Sequence, residues 1–444
     1  MNASSAPSLP VRKCRLCGGS RLHSVIDLGA MPLANRLLGP EESEGPETFY
    51  PLHARVCEGC GLVQVEAVET PENIFSDYAY FSSYSDSWLA HARSFAASAV
   101  KRFRLGRNSL VVETASNDGY LLRYFKEHGI PVLGIEPAGN VAAAAEREGI
   151  ATVVRFFGRA LAEELRAERG GADLIVANNV LAHVPDLNDF VAGFAILLKP
   201  DGALSVEFPH LLELIRNTQF DTIYHEHFSY FSLGAAEEIF SRHGLSVCDA
   251  EALSTHGGSL RLTVRRTDGP DRSVGPGVEE IRRREREAGL GGSAGFNGFA
   301  GRVRKIRRDL IAFLTDRRAE GKSVAGYGAA AKGATLLNYC RIGPDLVDFV
   351  ADRSPRKQGR LIPGVRIPIV PPEVIVERRP DYLLVLPWNI RDEVAGQMEH
   401  IRTWASKNNP RTMHECRSMN TRFKRIPNCA TSGSSAPAAP TFDC

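Results

Sequence analysis

Between about residue 109 and residue 267, short apolar runs of strand length alternate with segments whose apolar positions recur at helical spacing. "SLVVETA" reads as a strand ending in an acid, and "GYLLRYFKEHG" as the helix after it, closed by Gly129. "VLGIEP" is the next strand and "NVAAAAEREG" the next helix. "ADLIVANNVLAHV" runs from strand into loop, "LNDFVAGFAILLKPDG" is a helix with a glycine turn, and "GALSVEFP" is a further strand. "LSVCDAEALSTHGGSLRLTVRRT" gives two strands joined by a glycine-containing connection. The pattern predicts an α/β unit: an open, mostly parallel sheet with helices on both faces.

The flanking regions differ. Residues 1–70 form a cysteine-rich unit, and helical spacing begins near Trp88, so the central domain is placed at 71–267. Beyond it, "GVEEIRRREREAG" predicts a charged helix whose arginines face solvent, nucleic-acid binding being the second reading. "FAGRVRKIRRDLIAFLTDRRAEG" is a longer amphipathic helix. "SVAGYGAAAKGATLLNYC" then repeats the strand–glycine turn–helix plan, and "VDFVAD" and "DYLLVLPW" are strands of a smaller α/β domain over 268–408. The tail, 409–444, ends "NCATSGSSAPAAPTFDC" and is expected to be disordered.

Composition narrows the class. With 444 residues, 43% apolar and 24% charged, the chain has the make-up of a globular protein of two or three domains. A formal net charge of +2 argues against a duplex-binding surface. The start "MNASSAPSLP" lacks a secretory signal, and no apolar run reaches the ~20 residues of a membrane span. A cytoplasmic protein, with neither nucleic-acid nor membrane partner, is expected.

Four of the nine cysteines form two pairs, "CRLC" with Cys14 and Cys17 and "CEGC" with Cys57 and Cys60. Each CxxC turn points two thiolates at one centre, so two turns complete a tetrahedral sulfur shell for zinc. Gly18 and Gly61 permit the tight backbone after each pair. A complete shell leaves no open position, so the zinc is expected to be structural; four free buried thiols are the alternative.

Three segments carry candidate chemistry. In "VVETASNDGYLL" a buried strand ends in Glu113, and a turn with Asn117, Asp118 and Gly119 enters a helix, where backbone amides approach a ligand closely. Glu136 in "GIEP" stands where a doubly wound sheet holds an acid against ribose hydroxyls. The G-x-G-x-x-G of dinucleotide folds is absent, which favours S-adenosylmethionine; an ordinary strand–helix turn is the alternative. In "GYGAAAKG" Lys332 lies where a helix N-terminus and a cation receive a phosphate, and "ADRSPRKQGRLIPG" gathers Arg353, Arg356, Lys357 and Arg360; a tight turn and a solvated basic loop are the rival reading. "TIYHEHFSYFS", residues 222–232, holds two histidines, a glutamate and two tyrosines, suited to a metal, to acid–base chemistry or to an aromatic core.

"CRLCG", "PLANRLL", "CEGCGLVQV", "YFSSYSDSWLAHA", "SNDGYLL", "GIEP", "NVLAHVPD", "EFPHLLELI", "YHEHFSYFS", "GGSLR", "GYGAAAKG" and "KQGRLIPG" occur in that order. Together they resemble the zinc-containing sugar C-methyltransferases, over about residues 12–402. The resemblance implies a zinc-binding N-terminal domain, a central class I S-adenosylmethionine-dependent methyltransferase domain and a Rossmann-like C-terminal domain. It implies methyl transfer to C3 of a nucleotide-linked 4-keto-deoxysugar, typically a dTDP sugar, through an enolate. Donor contacts would come from Glu113, Ser116, Asn117, Asp118, Gly119, Glu136 and Asn178, and substrate contacts from Lys332 and Arg353. Tyr78, His183, Tyr224, Glu226 and His227 match active-site positions. His227 is the expected base and Tyr224 its rival; Glu226 would orient the substrate or the imidazole, and His183 would contact the ketone. His225 stays unassigned. Two departures stand out. Ala115 replaces the family's glycine in the donor turn, and "SKNNPRTMHECRSMNTRFKRIP" replaces its closing strand, which should leave a sheet edge bare. An epimerase or isomerase using the same base, and a nucleotide-sugar-binding protein without catalysis, are the competing functions.

Overall fold

The computed structural model describes residues 13–75, 81–270, 273–401 and 413–415. Three sheets organise it.

The central sheet has seven strands in the order Leu245–Leu253, Ser259–Arg266, Leu198–Pro209, Ala172–Asn178, Val111–Thr114, Val132–Ile135, Thr152–Val153. The last five run parallel, and Ser259–Arg266 enters antiparallel beside Leu198–Pro209, with Leu260 opposite Phe208 and Leu262 opposite Val206. Every residue of Val111–Thr114 is buried, as expected of a middle strand covered on both faces. The helices begin where side chains supply the missing acceptors. Ser85 accepts from the Trp88 amide at the start of Asp86–Arg102, Asp186 from Asp189 at Leu187–Leu197, and Ser232 from Ala235 at Leu233–Arg242.

The N-terminal sheet joins Leu22–Met31, Tyr50–Cys57 and Val63–Gln64 in antiparallel order. Its fourth strand, Ser229–Tyr230, comes from the histidine-rich stretch of the central region. The N-terminal unit is wedged between the others. Val25, Leu28, Leu52 and Val65 share one apolar core with helix Phe299–Ala319 and the C-terminal residues Val324, Ile342 and Leu384. The cysteine turns instead pack with Phe190, Phe231 and Leu233 of the central region.

The C-terminal sheet is parallel throughout, in the order Ile369–Val370, Val350–Ala351, Val324–Tyr327, Tyr382–Val385, Met413–Glu415. The edge expected to be bare is therefore occupied by Met413–Glu415. The rest of the 409–444 tail lies outside the described residues. Among the described residues no helix is long and apolar enough to cross a membrane.

The arginine-rich helix Pro276–Glu287 packs on the central region, with Val278 and Ile281 in its core. Arg282 and Arg284 reach Glu237 and Glu213 there, so part of the expected solvent-facing run is spent on ion pairs. Its buried Glu285 accepts from the Leu233 amide (2.5 Å), the Gly234 amide (3.2 Å) and His210 Nε2 (2.7 Å). One carboxylate thus closes the start of helix Leu233–Arg242 and holds His210. Glu285→Ala leaves these donors unpaired, and urea denaturation should show a loss of about 2–4 kcal/mol. A loss below about 0.5 kcal/mol would mean that this junction contributes little.

Candidate active site

The four paired cysteines converge. Their Sγ atoms all lie within 4.8 Å of one another, with Cys14–Cys60 and Cys17–Cys57 each at 3.5 Å. A zinc tetrahedron with 2.3 Å Zn–S bonds has edges of about 3.8 Å, so the cluster fits that ion with little adjustment. Gly18 and Gly61 take φ of +75° and +72°, and their amides bond back to the carbonyls of Cys14 and Cys57. The Cys14 thiol is lowered to about 5, chiefly by the hydrogen bond from Cys60, while burial raises Cys57. Four crowded sulfurs ionise together only around a cation, and four thiolates close its shell, which makes the role structural.

The donor turn follows Val111–Thr114. Ala115 sits at φ +53°, Asn117 at +51° and Gly119 at +75°. Asn tolerates this region and glycine favours it, whereas alanine costs about 1–2 kcal/mol there. The turn is held from below: Glu136 accepts from the Asn117 amide (3.0 Å) and the Ala138 amide (2.9 Å). Burial raises both Glu136 and Glu113, the latter against a hydrogen bond from Tyr120. Ser116 Oγ and Asn178 Oδ1 are buried without a hydrogen-bond partner. Asn117 and Asp118 were expected to face the donor. Asn117 Oδ1 accepts from the Ser82 amide (2.9 Å) and Asp118 Oδ2 from the Ser83 amide (3.1 Å), strapping the segment before helix Asp86–Arg102 over the turn, while Asp118 Oδ1 is buried without a hydrogen-bond partner. Tyr78 lies outside the described residues.

The histidine stretch arches from the short helix Phe220–Thr222 to strand Ser229–Tyr230. His227 Nδ1 lies 2.8 Å from the Thr222 carbonyl oxygen, to which it must donate. That leaves Nε2 as the acceptor of the Tyr224 hydroxyl proton, at 2.8 Å. The His183 ring meets His227 edge-on at 4.7 Å, and a hydrogen bond to the Glu226 backbone engages it. Burial, then the charge of His183, lowers His227 well below the usual histidine range, and burial lowers His183 to about 4. Both are neutral near pH 7. Glu226 was expected to orient the substrate or the imidazole, and its side-chain partner is neither of the histidine rings. Its carboxyl accepts from Asn35 of the N-terminal unit at 2.6 Å, and burial raises it to about 7. His225 points the other way, bonding the Pro51 carbonyl at 3.2 Å and packing on Tyr50.

Lys332 was expected at a phosphate site in the second glycine turn. Asp352 accepts from one amide of that turn, Ala329 (2.7 Å), and from the Ser354 amide (2.8 Å), with Lys357 bonded to the Ala329 carbonyl (2.8 Å). The Lys332 ammonium turns inward. It donates to Asn389 Oδ1 at 2.6 Å and lies 4.9 Å from the Trp388 ring centroid. Burial lowers it to about 8, against the pull of Asp221. The four basic residues of the 353–360 loop are dispersed: Arg353 is exposed, Arg356 lies over Phe81, and Arg360 reaches the Leu37 carbonyl.

Residues not singled out from the sequence complete the walls. Asp221 accepts from Trp388 Nε1 at 2.7 Å. Trp88 packs on Tyr120 toward the donor turn and edge-on against His256. Glu207 accepts from Arg261 and Thr255. Three of these residues lie within recognised motifs, Glu207 in "EFPHLLELI", Arg261 in "GGSLR" and Trp88 in "SDSWLAHA". Their residue types alone suggest no role.

A seven-stranded sheet of this order, with an acid after the first strand and a second acid at the next strand end, defines a class I S-adenosylmethionine-dependent methyltransferase. Three family descriptions cover the chain: "Putative zinc binding domain" over residues 14–75, "Methyltransferase domain" over 88–250 and "C-methyltransferase C-terminal domain" over 254–408. The C-methyltransferase NovU of Streptomyces niveus is 39% identical over 385 residues, 87% of this chain and 91% of its own. The chain belongs to this zinc-containing C-methyltransferase family. Among solved structures, magnesium protoporphyrin IX methyltransferase (ChlM) from Synechocystis PCC 6803 with bound SAM aligns at 18% identity and a TM-score of 0.31, covering 40% of this chain and 79% of that one. The PH0226 protein from Pyrococcus horikoshii OT3 aligns at 14% identity and a TM-score of 0.35, covering 44% and 97%.

The cysteine turn 57–60 leads directly into strand Val63–Gln64, which pairs with Ser229–Tyr230, and the Val65 amide bonds the Phe228 carbonyl. Removing the metal with a chelator should therefore speed amide exchange across 222–230 while Ala172–Asn178 stays protected. Unchanged protection over 222–230 in metal-free protein would separate the knuckle from the histidine stretch.

Proposed function

We propose that this protein transfers a methyl group from S-adenosylmethionine to C3 of a nucleotide-linked 4-keto-deoxysugar, a dTDP sugar being the first candidate. The observation that carries this reading is the Tyr224–His227 pair, a neutral imidazole whose free nitrogen faces a phenol in a buried site. Methylation beside a ketone requires loss of the α-proton, and a neutral imidazole is suited to take it near pH 7.

In this reading the two acids of the donor side hold S-adenosylmethionine. Glu136 keeps the turn in shape through Asn117 and offers its remaining lone pairs to the ribose diol, while Glu113, Ser116, Gly119 and Asn178 line the rest of the donor position. When bound, the donor supplies an electrophilic methyl group. On the other side, His227 is the base and acts through Tyr224: the phenol oxygen takes the C3 proton as its own proton passes to Nε2. The Thr222 carbonyl fixes the tautomer needed for this, and His183 keeps the ring in place. Arg353 remains available to the nucleotide at the surface of the C-terminal domain.

Proton exchange at C3 in deuterated water, without donor, isolates this step. His227→Ala should lower exchange by about 10²–10⁴-fold, Tyr224→Phe should lower it comparably, and His225→Ala should spare it. The imidazole must be neutral to act, and its pKa lies well below 6.5, so exchange should stay level as pH falls through 6.5 and drop only in more acid solution. Exchange that survives both His227→Ala and Tyr224→Phe would remove this pair from the mechanism.

A further inference from the structure

Deprotonation beside a ketone has a second requirement, because the electron pair of the broken C–H bond ends on the carbonyl oxygen. A site that supports the step needs a donor or cation aimed at that oxygen. Its position is constrained by the base, since the α-carbon and the carbonyl oxygen of one substrate lie only a few ångströms apart.

Asp221 and Thr222 are consecutive residues of one short helix, and they face both halves of this problem. The Thr222 carbonyl holds His227, at 2.8 Å. The Asp221 carboxylate holds Trp388 Nε1, at 2.7 Å, and the Lys332 ammonium lies over the ring of that same tryptophan. Lys332 is thus carried by the C-terminal domain yet delivered to the histidine stretch. Its positive charge contributes to the lowering of both His227 and His256. Asn389 takes one of its three N–H donors, so the ammonium can still offer a hydrogen bond to a substrate oxygen. In its own glycine turn an acid, Asp352, already accepts from the Ala329 amide, which disfavours a phosphate there.

We propose that Lys332 is the catalytic cation of the deprotonation step, binding the ketone oxygen and stabilising the enolate, and is not a phosphate ligand. This rests on the α-deprotonation reading of the Tyr224–His227 pair. In the step, the C3–H bond breaks, its proton passes to the Tyr224–His227 pair, and its electrons form the C3–C4 double bond. The C4 carbonyl oxygen becomes an oxyanion, neutralised by the ammonium without proton transfer. The enolate carbon then forms its bond to the donor's methyl as the S–CH₃ bond breaks and a neutral thioether leaves. The ketone is restored, the proton held by the Tyr224–His227 pair passes to solvent, and the ammonium returns to its starting state. Asp221 acts as a positioning residue, keeping Lys332 charged and Trp388 in place.

Two measurements on the full-length zinc-bound protein separate the roles. One is C3 proton exchange at saturating nucleotide keto-sugar without methyl donor, and the other is calorimetric affinity for thymidine diphosphate alone. Lys332→Met should lower exchange about 10²–10³-fold, the usual effect of losing one oxyanion donor, and leave thymidine diphosphate affinity within about threefold. Lys332→Arg, which keeps the charge, should restore part of the exchange. If Lys332→Met misfolds because it removes the cation whose charge offsets the buried Asp221 carboxylate, the same two readings are taken on Lys332→Met/Asp221→Asn. Tenfold weaker thymidine diphosphate binding with normal exchange at saturation would overturn the proposal and make Lys332 a phosphate ligand. Absence of exchange in the wild-type protein would instead defeat the deprotonation reading itself, before any variant is compared.

Discussion

The pairing of Val63–Gln64 with Ser229–Tyr230 is the constraint on which the site depends. A two-residue ladder is weak alone, and here it is reinforced from both ends. On one side the cysteine turn 57–60 leads straight into the first strand, and Arg15 from the other turn bonds Gln64 and the Val65 carbonyl. On the other side the Tyr224–His227 arch ends in the second strand. A metal that closes four thiolates therefore sets the position of residues with which it shares no chemistry. The same unit supplies Asn35 to Glu226 and the Pro51 carbonyl to His225, so both residues between Tyr224 and His227 are anchored in it.

Burial acts on the site's titratable groups in one direction. It raises Glu113, Glu136, Asp221 and Glu226 and lowers His183, His227, His256 and Lys332. Each shift favours the neutral form, as expected where water is largely excluded. In such a medium a single cation near a developing oxyanion is worth more than in water, and a neutral imidazole is available as a base. The site's polar residues come from all three units, which explains why the wedge-like N-terminal sheet and the C-terminal domain both contact the Phe220–Tyr230 segment.

What could be read from the sequence was local. The paired cysteines, the strand ending in Glu113, the turn to Gly119 and the acid at 136 are each recognisable from a few consecutive residues, although Cys14 meets Cys60 from 46 positions away and Glu136 reaches back 19 positions to the Asn117 amide. Ala115 was recognisable as a replaced glycine, and it does hold the left-handed conformation that glycine would take. What escaped was non-local. Asn117 and Asp118 spend their side chains on Ser82 and Ser83, Glu226 meets Asn35, and Lys332 turns from its own glycine turn toward Trp388 and Asn389. Ser229–Tyr230 is too short for strand alternation to register. The covered edge at Met413–Glu415 escaped for a similar reason, since three residues without apolar alternation still pair through their backbone.

The central claim is carbon methylation of a nucleotide-linked keto-sugar by a site assembled from three units. Mass spectrometry after incubating the zinc-bound protein with S-adenosylmethionine and a panel of nucleotide 4-keto-deoxysugars tests it most directly. The account predicts a sugar product heavier by about one CH₂, about 14 Da, with the new methyl on C3, and an equal yield of demethylated donor. A panel in which donor and nucleotide sugar both bind yet no sugar gains mass would contradict it, and an isomerised sugar of unchanged mass would identify an epimerase in its place.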